Sequence, residues 1–553
     1  FYPSVNDYKY LYDLQVVCRF MLAFCDIKIT TTIIFPVLDA SGKLPSGILT
    51  GNWNDLGDYH QCLSINEILN GTQFQGKYCT ITIPINQESR GMVAVCIPDV
   101  CTPTQAVNFF QSRIPLLNVS FDEYYCRLPN DKPLLILCAI FIYVQNFSQY
   151  LSLGQKNIMF KRYFLSSAAS KVNSLYVCFS VYTNTRRFLS FKSTSGALEC
   201  VDGIRAISMM WVVVGHTYSM TLLGFIHNLQ DTISVSIFTP ITVDTFFLLS
   251  GILAVYTVIG KISRGKTIHL FYLNRLLRMF PLLATIVLLQ ASLFNHVSDG
   301  PYWINMAQAT ENCRQNWWSV LLHVQNYCLV QTWYLSVDMQ LYIVCPIILV
   351  FMFGREKIAW FILTAIVLLS LVSSSLYSFM YDFSAALFGE YVRIYYMNTL
   401  ARAPPFFVGM FYGYILYLCK DKKIRISRIN VALLWILSFA LMAFCIFSIY
   451  PVMQLDHEAQ LFDNFLNAYM RAIWAVGLGW LIFACVHGYG GNNLLSYFLI
   501  FCLLPARLSY AMYLIHIPII FTAINSWNKT YYFTNADIVS ICILHLPKFK
   551  KLA

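Results

Sequence analysis

Apolar stretches of membrane-spanning length, each with at most one charged residue, recur along most of this 553-residue chain. The hydrocarbon core of a bilayer is about 30 Å thick, and an α-helix crosses it in about 20 residues. Ten such windows are found: Pro133–Phe147, Ile204–Phe225, Val235–Ile259, Met279–Phe294, Trp333–Phe353, Ile358–Met380, Ala403–Cys419, Ile429–Val452, Ala472–Val486 and Leu508–Trp527. We expect flanking residues to complete the three short windows, at 133, 279 and 472. The sequence predicts an all-α polytopic membrane bundle of about ten transmembrane helices.

The low charge of the chain excludes most alternatives to a membrane protein. Only 12% of the residues are charged, whereas a soluble domain has about 25%. The 38 Lys and Arg residues exceed the 27 Asp and Glu residues, but they are not gathered into one basic patch. Nucleic acid is therefore not an expected partner. The expected partners are membrane lipids, and the sequence leaves the oligomeric state open.

The distribution of basic residues orients the predicted helices. Alternate connections hold 20 Lys and Arg on one side and 5 on the other, and basic residues are retained on the cytoplasmic side. We therefore expect residues 1–131 to be extracellular or lumenal, in the plasma membrane or the endoplasmic reticulum. Residues 132–195 would form the first transmembrane helix and a basic cytosolic linker, residues 196–527 the remaining membrane domain, and residues 528–553 a tail holding part of a last helix.

Cysteines mark residues 1–131 as a disulfide-rich extracytoplasmic domain, because an exported location favours disulfide formation. The disulfide candidates are Cys62, Cys79, Cys96, Cys101 and Cys126, with Cys313 and Cys328 as a local pair in a later connection. Cys18 and Cys25 leave an odd number in the domain, and the connectivity stays open. Free thiols are expected at the cysteines within spans, which are Cys345, Cys419, Cys445 and Cys485. No metal site is expected, because no short Cys pairs recur with a His at ligand spacing. Glycosylation sequons lie outside the membrane at Asn70, Asn118 and Asn528.

Ionisable residues inside predicted spans are candidates for function, because they are costly in the bilayer. Arg205 and His216 are eleven residues apart, so they share one helix face about 16 Å apart along the axis. Arg205 would bind an anion at the cytosolic mouth, and His216 would be a general base near mid-depth. The alternatives are an interfacial Arg and a His bonded to a neighbouring helix.

Asp244 is the one charge in its window and a candidate catalytic partner, since a carboxylate beside His216 would orient the imidazole. A packing role for Asp244 remains the alternative. Arg275 and Arg278 are spaced i, i+3 on one helix face at the inner end of a span, and two adjacent guanidiniums favour a phosphate ligand. Ordinary positive-inside anchoring is the other explanation of this pair.

Two further intramembrane residues are candidates for substrate binding. Asp338 lies one to two turns into its span from the outside, and His516 lies within the window from Leu508. A structural hydrogen bond to a neighbouring helix would explain either residue equally well.

These residues occur in an order that resembles the acyltransferase-3 membrane family. The resemblance over residues 196–527 rests on Arg205 with ten residues before His216, on Val243–Gly251, on Arg275-x-x-Arg278, on Trp333–Gln340 and on Leu508–His516. Residues 1–131 resemble the N-terminal domain of the nose-resistant-to-fluoxetine branch. That similarity is carried by Leu38–Gly47, Leu56–Ile65, Gly76–Cys79 and Val95–Pro98.

The resemblance implies an O-acyltransferase that moves an acyl group from cytosolic acyl-CoA to a lumenal, extracellular or lipid acceptor. His216 falls on the family's proposed catalytic histidine, and Arg205, Arg275 and Arg278 fall on its arginine motifs. Acyl-CoA would be a substrate, and no bound cofactor is expected. The alternatives are a lipid or drug transporter that uses the same intramembrane polar residues, and a receptor whose extracytoplasmic domain binds the ligand.

Overall fold

The computed structural model of the protein describes residues 36–37, 39–43, 54–69, 72–84, 90–102, 123–129, 131–132, 198–221, 240–259, 268–297, 299–324, 328–383, 391–420, 422–452, 457–490 and 494–526. The predicted span Pro133–Phe147, the linker to 195 and the tail from 528 lie outside these residues. The same is true of Cys18 and Cys25 and of the sequons at Asn70, Asn118 and Asn528. The expectations for these segments stay predictions.

A small antiparallel sheet and one short helix form the described part of the N-terminal domain. The elements are α1 (Tyr59–Ser64), β1 (Asn66–Leu69), β2 (Thr72–Pro84), β3 (Arg90–Pro98) and β4 (Cys126–Arg127). Strand β2 is central, since it pairs with β1, β3 and β4. A side chain at Gly76 would collide with the carbonyl oxygen of Cys62, 1.9 Å from the ideal Cβ position. Glycine at this position therefore lets α1 pack directly on the sheet.

Disulfide bonds hold this domain together, as the sequence predicted. Cys79 and Cys126 are opposite one another in the pairing of β2 with β4 and are bonded. A second bond, Cys62–Cys96, joins α1 to β3, and Cys101 is also disulfide-bonded. The predicted local pair Cys313–Cys328 forms as well. The four in-span cysteines named above are free thiols.

The second part of the chain is a helical bundle. Its helices are α2 (Glu199–Thr221), α3 (Pro240–Val258), α4 (Ile268–Ser292), α5 (Phe294–Val297), α6 (Trp303–Leu321), α7 (Trp333–Met352), α8 (Glu356–Tyr381), α9 (Thr399–Leu418), α10 (Arg428–Phe447), α11 (Ile449–Val452), α12 (Gln460–Val486) and α13 (Leu494–Asn525). Short 3-10 and π-helical turns precede α7 and α9, at Val330–Thr332 and Val392–Tyr396.

Seven of the described helical segments are long and apolar enough to cross a membrane, which makes this a multi-pass membrane protein. They are Ile241–Val258, His269–Ser292, Val330–Met352, Glu356–Tyr381, Arg428–Val452, Gln460–Val486 and Pro505–Asn525. Two more predicted spans fall on α2 and α9, so the count of about ten stays a prediction. The short windows from Met279 and Ala472 are completed by flanking residues, because α4 begins at Ile268 and α12 at Gln460.

Glycine allows the closest helix contact in the centre of the bundle, between α3 and α9. A Cβ atom at Gly251 would lie 2.1 Å from the carbonyl oxygen of Phe406, and one at Gly409 would lie 2.3 Å from that of Leu248. Small residues let membrane helices approach at backbone distance, where van der Waals packing stabilises the pair. This contact brings the first turns of α3 and α9 together, with Asp244 on one and Arg402 on the other.

Candidate active site

Two histidine side chains meet where α2 packs along α13. The Nδ1 atom of His216 lies 3.3 Å from the Nε2 atom of His516, and the ring centroids are 5.0 Å apart. The same Nδ1 atom lies 3.0 Å from the carbonyl oxygen of Val212, one turn earlier in α2. His516 is buried, and its Nδ1 atom lies 2.8 Å from the carbonyl oxygen of Tyr513. Both histidines are candidates from the sequence, but their pairing was not predicted.

Asp244 does not orient His216, so that expectation was wrong. Its two carboxylate oxygens lie 2.9 and 3.0 Å from Nη1 of Arg402, and one of them lies 3.8 Å from Nε of Arg471. The side chains of all three residues are at most 3% exposed. A buried carboxylate requires a charged partner. Arginine is always charged, whereas a neutral imidazole carries no such charge.

Aromatic rings surround this buried ion cluster of Asp244, Arg402 and Arg471. The guanidinium carbon of Arg402 lies 4.0 Å from the centre of the Tyr396 ring and 5.0 Å from that of Trp333. That of Arg471 lies 5.1 Å from the centre of a tyrosine ring, at position 395. The two guanidiniums carry two positive charges, and the single carboxylate neutralises only one of them. The negative faces of the aromatic rings compensate part of the remaining positive charge.

Three guanidiniums gather around Tyr334 on the first turn of α7. Arg205, Arg275 and Arg278 all lie within electrostatic range of this side chain, and we call them the arginine cluster. They come from two helices, α2 and α4, and their convergence on one ligand stays a prediction. The role of the arginine cluster in substrate binding stays a prediction.

The three members of the arginine cluster differ in their partners. Arg205 bonds to Asp202 at 3.2 Å and remains 30% exposed. The Arg275 side chain is 9% exposed, forms an ion pair with Asp338 and lies 3.8 Å from the centre of the Tyr342 ring. Arg278 is exposed, and no carboxylate among the described residues pairs with it. Arg278 is therefore the member best able to accept an anion from outside the protein.

Asp338 lies five residues after the start of α7, between one and two turns into the helix, as predicted from the sequence. Its carboxylate forms an ion pair with Arg275, which lies about two turns inside α4. The span predicted from Met279 placed Arg275 just outside the helix, whereas α4 begins at Ile268 and includes it. A role of Asp338 in substrate binding stays a prediction.

Tyrosines connect the arginine cluster with the histidine pair. The ring centroids of Tyr334 and Tyr513 are 5.7 Å apart, and those of Tyr513 and His516 are 6.2 Å apart. The Tyr513 hydroxyl donates to the carbonyl oxygen of Gln331, whose side-chain amide donates to the carbonyl oxygen of Leu514 at 3.1 Å. The turn before α7 thus holds α13 in register beside His516.

The N-terminal domain packs on the bundle one turn beyond the histidine pair. Met220 lies four residues after His216 in α2, and Ile520 lies four residues after His516 in α13. Both pack in an apolar cluster with Leu56 of the N-terminal domain. The remaining members of this cluster are Met92, Tyr302 and Ile524. The histidine pair therefore lies between the arginine cluster and the N-terminal domain.

Asp299, between α5 and α6, binds the N-terminal domain to the bundle through a hydrogen bond and two ion pairs. The Tyr59 hydroxyl donates to its carboxylate at 2.6 Å, and Arg127 and Lys132 each approach it to 3.5 Å. Burial acts to raise the pKa of Asp299, but the Tyr59 hydrogen bond and the two cations outweigh it and hold the pKa below its ordinary value. Burial, followed by the Asp299 hydrogen bond, raises the pKa of Tyr59. Asp299 is therefore charged at neutral pH.

A polar stripe on α12 leads to the buried ion cluster. Asp463 accepts from His457 at 2.7 Å, Asn464 donates to Asp382 at 2.8 Å, and the carbonyl oxygen of Asn467 accepts from Arg471 at 2.9 Å. These positions recur at helical spacing on a buried face. Within the part of the chain that the structure describes, no group of three or more His, Cys, Asp or Glu side chains could hold a metal ion.

The site as a whole lies in a segment that matches a known family. A family model described as an acyltransferase domain matches residues 198–546, which is most of the chain. The chain belongs to the acyltransferase-3 family. The segment that matches this family contains helices α2 to α13, and thus the histidine pair and the arginine cluster. A second model, the N-terminal domain of nose resistant-to-fluoxetine proteins, matches residues 21–110.

Two curated relatives come from Caenorhabditis elegans. Nose resistant to fluoxetine protein 6 is 24% identical, over 91% of this acyltransferase-3 chain and 74% of the relative. Regulator of hypoxia-inducible factor 1 is 27% identical, over 32% of this chain and 38% of the relative. No solved structure matches the chain.

Proposed function

We propose that the protein is an O-acyltransferase that moves an acyl group from acyl-CoA to a hydroxyl group on a lumenal, extracellular or lipid acceptor. Membership of the acyltransferase-3 family supports acyl transfer as the type of reaction. The observation that carries the assignment to residues is that α2 bears both Arg205 and His216. The arginine cluster and the histidine pair thus belong to one site with an anion-binding end and a basic end.

The arginine cluster would bind the phosphate groups of CoA. Arg278 is exposed and without a carboxylate partner among the described residues, so it would make the first phosphate contact, with Arg205 as the second. Arg275 is neutralised by Asp338 and would support the site from behind. Arg205 and His216 are about 16 Å apart along α2. CoA suits this distance, because its phosphates and its thioester lie at opposite ends of an extended molecule.

His216 would act as the general base. Its imidazole accepts the proton of the acceptor hydroxyl while the hydroxyl oxygen attacks the thioester carbonyl carbon. The carbon–sulfur bond then breaks, and the imidazolium returns the proton to the CoA thiolate, which leaves as the free thiol. A positioned base contributes about 10²–10⁴-fold to the rate. This reaction consumes no bound cofactor.

The sidedness of the reaction would follow the distribution of basic residues. We assign the arginine cluster to the cytosolic end of the bundle, where acyl-CoA is supplied, and the N-terminal domain to the extracellular or lumenal side. The acceptor would then approach His216 from the end of the bundle on which the N-terminal domain packs. Membrane lipids are one class of acceptor. An extracellular or lumenal N-terminal domain would also be glycosylated at Asn70 and Asn118.

A lipid or drug transporter is the second candidate, and the polar stripe on α12 is the observation that favours it. Buried polar side chains from Asp463 to Arg471 would suit a passage through the bundle. The two functions differ in whether acyl-CoA is consumed. A transporter leaves the thioester intact, whereas an acyltransferase releases one CoA thiol for each acyl group that reaches the acceptor.

The deciding experiment uses the purified full chain in lipid nanodiscs with radiolabelled acyl-CoA and a panel of hydroxyl-bearing lipids. We expect labelled acylated product and free CoA thiol in equal amounts. Arg278→Gln should raise the KM for acyl-CoA, while the exposed control His269→Gln should behave as the unmodified chain does. Intact acyl-CoA with every acceptor, together with uptake of labelled lipid by proteoliposomes, would contradict the proposal and support transport.

A further inference from the structure

We infer that His516 is a positioning residue that fixes the tautomer of His216, and that it is not a substrate ligand. The inference rests on the proposed acyl transfer and adds a specific task for the second histidine. It rests on four hydrogen-bond acceptors that surround two ring nitrogens, the Nδ1 atoms of His516 and His216. It rests also on a third ring nitrogen, Nε2 of His216, which has no hydrogen-bond partner among the described residues.

The tautomer of His516 follows from its backbone contacts. Its Nδ1 atom lies 2.8 Å from the carbonyl oxygen of Tyr513 and 3.1 Å from that of Met512. Carbonyl oxygens only accept hydrogen bonds, so Nδ1 must carry the proton and donate. In the neutral ring the Nε2 atom then holds the lone pair. That lone pair faces the Nδ1 atom of His216 at 3.3 Å.

The tautomer of His216 follows in turn. Its Nδ1 atom faces two acceptors, the Nε2 lone pair of His516 and the carbonyl oxygen of Val212 at 3.0 Å. Only a protonated Nδ1 can bond to either of them. If Nε2 of His516 carried the proton instead, Nδ1 of His216 would have to accept it. The Nδ1 lone pair of His216 would then face the Val212 oxygen and be repelled by it. The neutral His216 ring therefore carries its lone pair on Nε2.

This arrangement prepares His216 as a base. Among the described residues, no hydrogen bond occupies Nε2 of His216, so that atom is available to the acceptor hydroxyl. When Nε2 takes the proton, the ring becomes an imidazolium whose Nδ1–H group donates a charge-assisted bond to His516. In a Ser-His-Asp triad a carboxylate orients the imidazole in this way, and here an uncharged imidazole does so. Gln331 and Tyr513 hold the backbone of α13 from which His516 projects.

Replacement of His516 by glutamine and by methionine tests the inference. The side-chain oxygen of Gln can lie where Nε2 lay and accept from Nδ1–H of His216, whereas Met has similar length and no comparable acceptor. We expect His516→Met to lower kcat about 10²-fold, because a misaligned base loses about this much, with the KM for acyl-CoA unchanged. His516→Gln should stay within about tenfold of the unmodified rate. Leu514→Met, two residues away, is the matched control and should be fully active.

The double variant separates this inference from the proposed function. Because His516 acts through His216, adding His516→Met to His216→Ala should cause no further loss of transfer. Full activity of His516→Met, equal losses in the Gln and Met variants of folded protein, or a rise in KM alone would overturn the inference and leave the role of His216 standing. Full activity of His216→Ala would instead overturn the catalytic assignment on which the inference rests.

Discussion

Asparagine in place of Asp244 tests which interactions stabilise the centre of the bundle. The substitution keeps the shape of the side chain and removes the charge, which leaves Arg402 and Arg471 buried without a counter-ion. Loss of one partner of a buried ion pair costs about 3–5 kcal/mol. We expect the lower end, about 3 kcal/mol, because aromatic rings still face both guanidiniums. That value corresponds to a rise of about 10²-fold in the unfolded population.

The assay is the thermal stability of the detergent-solubilised full chain, followed by fluorescence-detected size exclusion. The matched control is Glu458→Gln, which neutralises an exposed carboxylate in the same way and should change stability by less than about 0.5 kcal/mol. Arg402→Met alone should also destabilise, and the double variant should lose less than the sum of the single losses. An Asp244→Asn variant as stable as its control, or simple addition of the two losses, would refute the reasoning.

Three further predictions concern the arginine cluster, the docked domain and the disulfides. Arg278→Gln should raise the KM for acyl-CoA about tenfold by removing a charge-assisted contact, whereas Arg275→Gln should mainly lower the thermal stability by leaving Asp338 unpaired. The pKa of Asp299 lies below its ordinary value, so its contribution to docking is present above about pH 4 and is lost as the pH falls further. The protection of Tyr59–Ser64 against hydrogen exchange, relative to the intrinsic rate at each pH, should therefore fall in acid, and in Asp299→Asn already at neutral pH; unchanged protection would contradict this. Replacement of both Cys79 and Cys126, which are 47 residues apart, by alanine should cost the N-terminal domain about 3–4 kcal/mol, measured as its melting against that of the unmodified chain; equal melting would refute it.

The sequence predicted the helices well and their ends poorly. The apolar windows were chosen for lack of charge, so any charged residue beside a window was assigned to a connection. Arg402 immediately precedes one window and Arg471 immediately precedes another, yet both lie inside helices, α9 and α12. An apolar window cannot distinguish a solvated charge from one that is paired inside the bundle. A charge directly against the window was the available signal, and it was missed.

Contacts between helices were harder to predict than positions on one helix. Helical spacing placed Arg205 and His216 on one face of α2, but it contains no information on which neighbouring helix faces them. Asp244 was matched to His216 because both lie near mid-depth. Its actual partner depends on the glycine contact of α3 with α9, which brings Arg402 within 2.9 Å. The pairing of His216 with His516 across 300 positions likewise depends on how α2 and α13 pack.

The partner of Asp338 was not predicted for the same reason. The sequence left open a bond to a neighbouring helix, and the ion pair with Arg275 joins residues 63 positions apart. The Cys313–Cys328 bond between α6 and the turn before α7 was predicted because its two cysteines are close along the chain.

Acyl transfer by the His216→Ala variant tests the central claim most directly. Labelled acyl-CoA and an accepted hydroxyl lipid are supplied to this variant and to His269→Ala in nanodiscs, and the acylated product is counted over time. The account predicts that His269→Ala retains full activity and that His216→Ala, with an unchanged elution profile and melting temperature, loses about 10²-fold or more. Transfer by His216→Ala at the rate of the control would show that this imidazole is not the base.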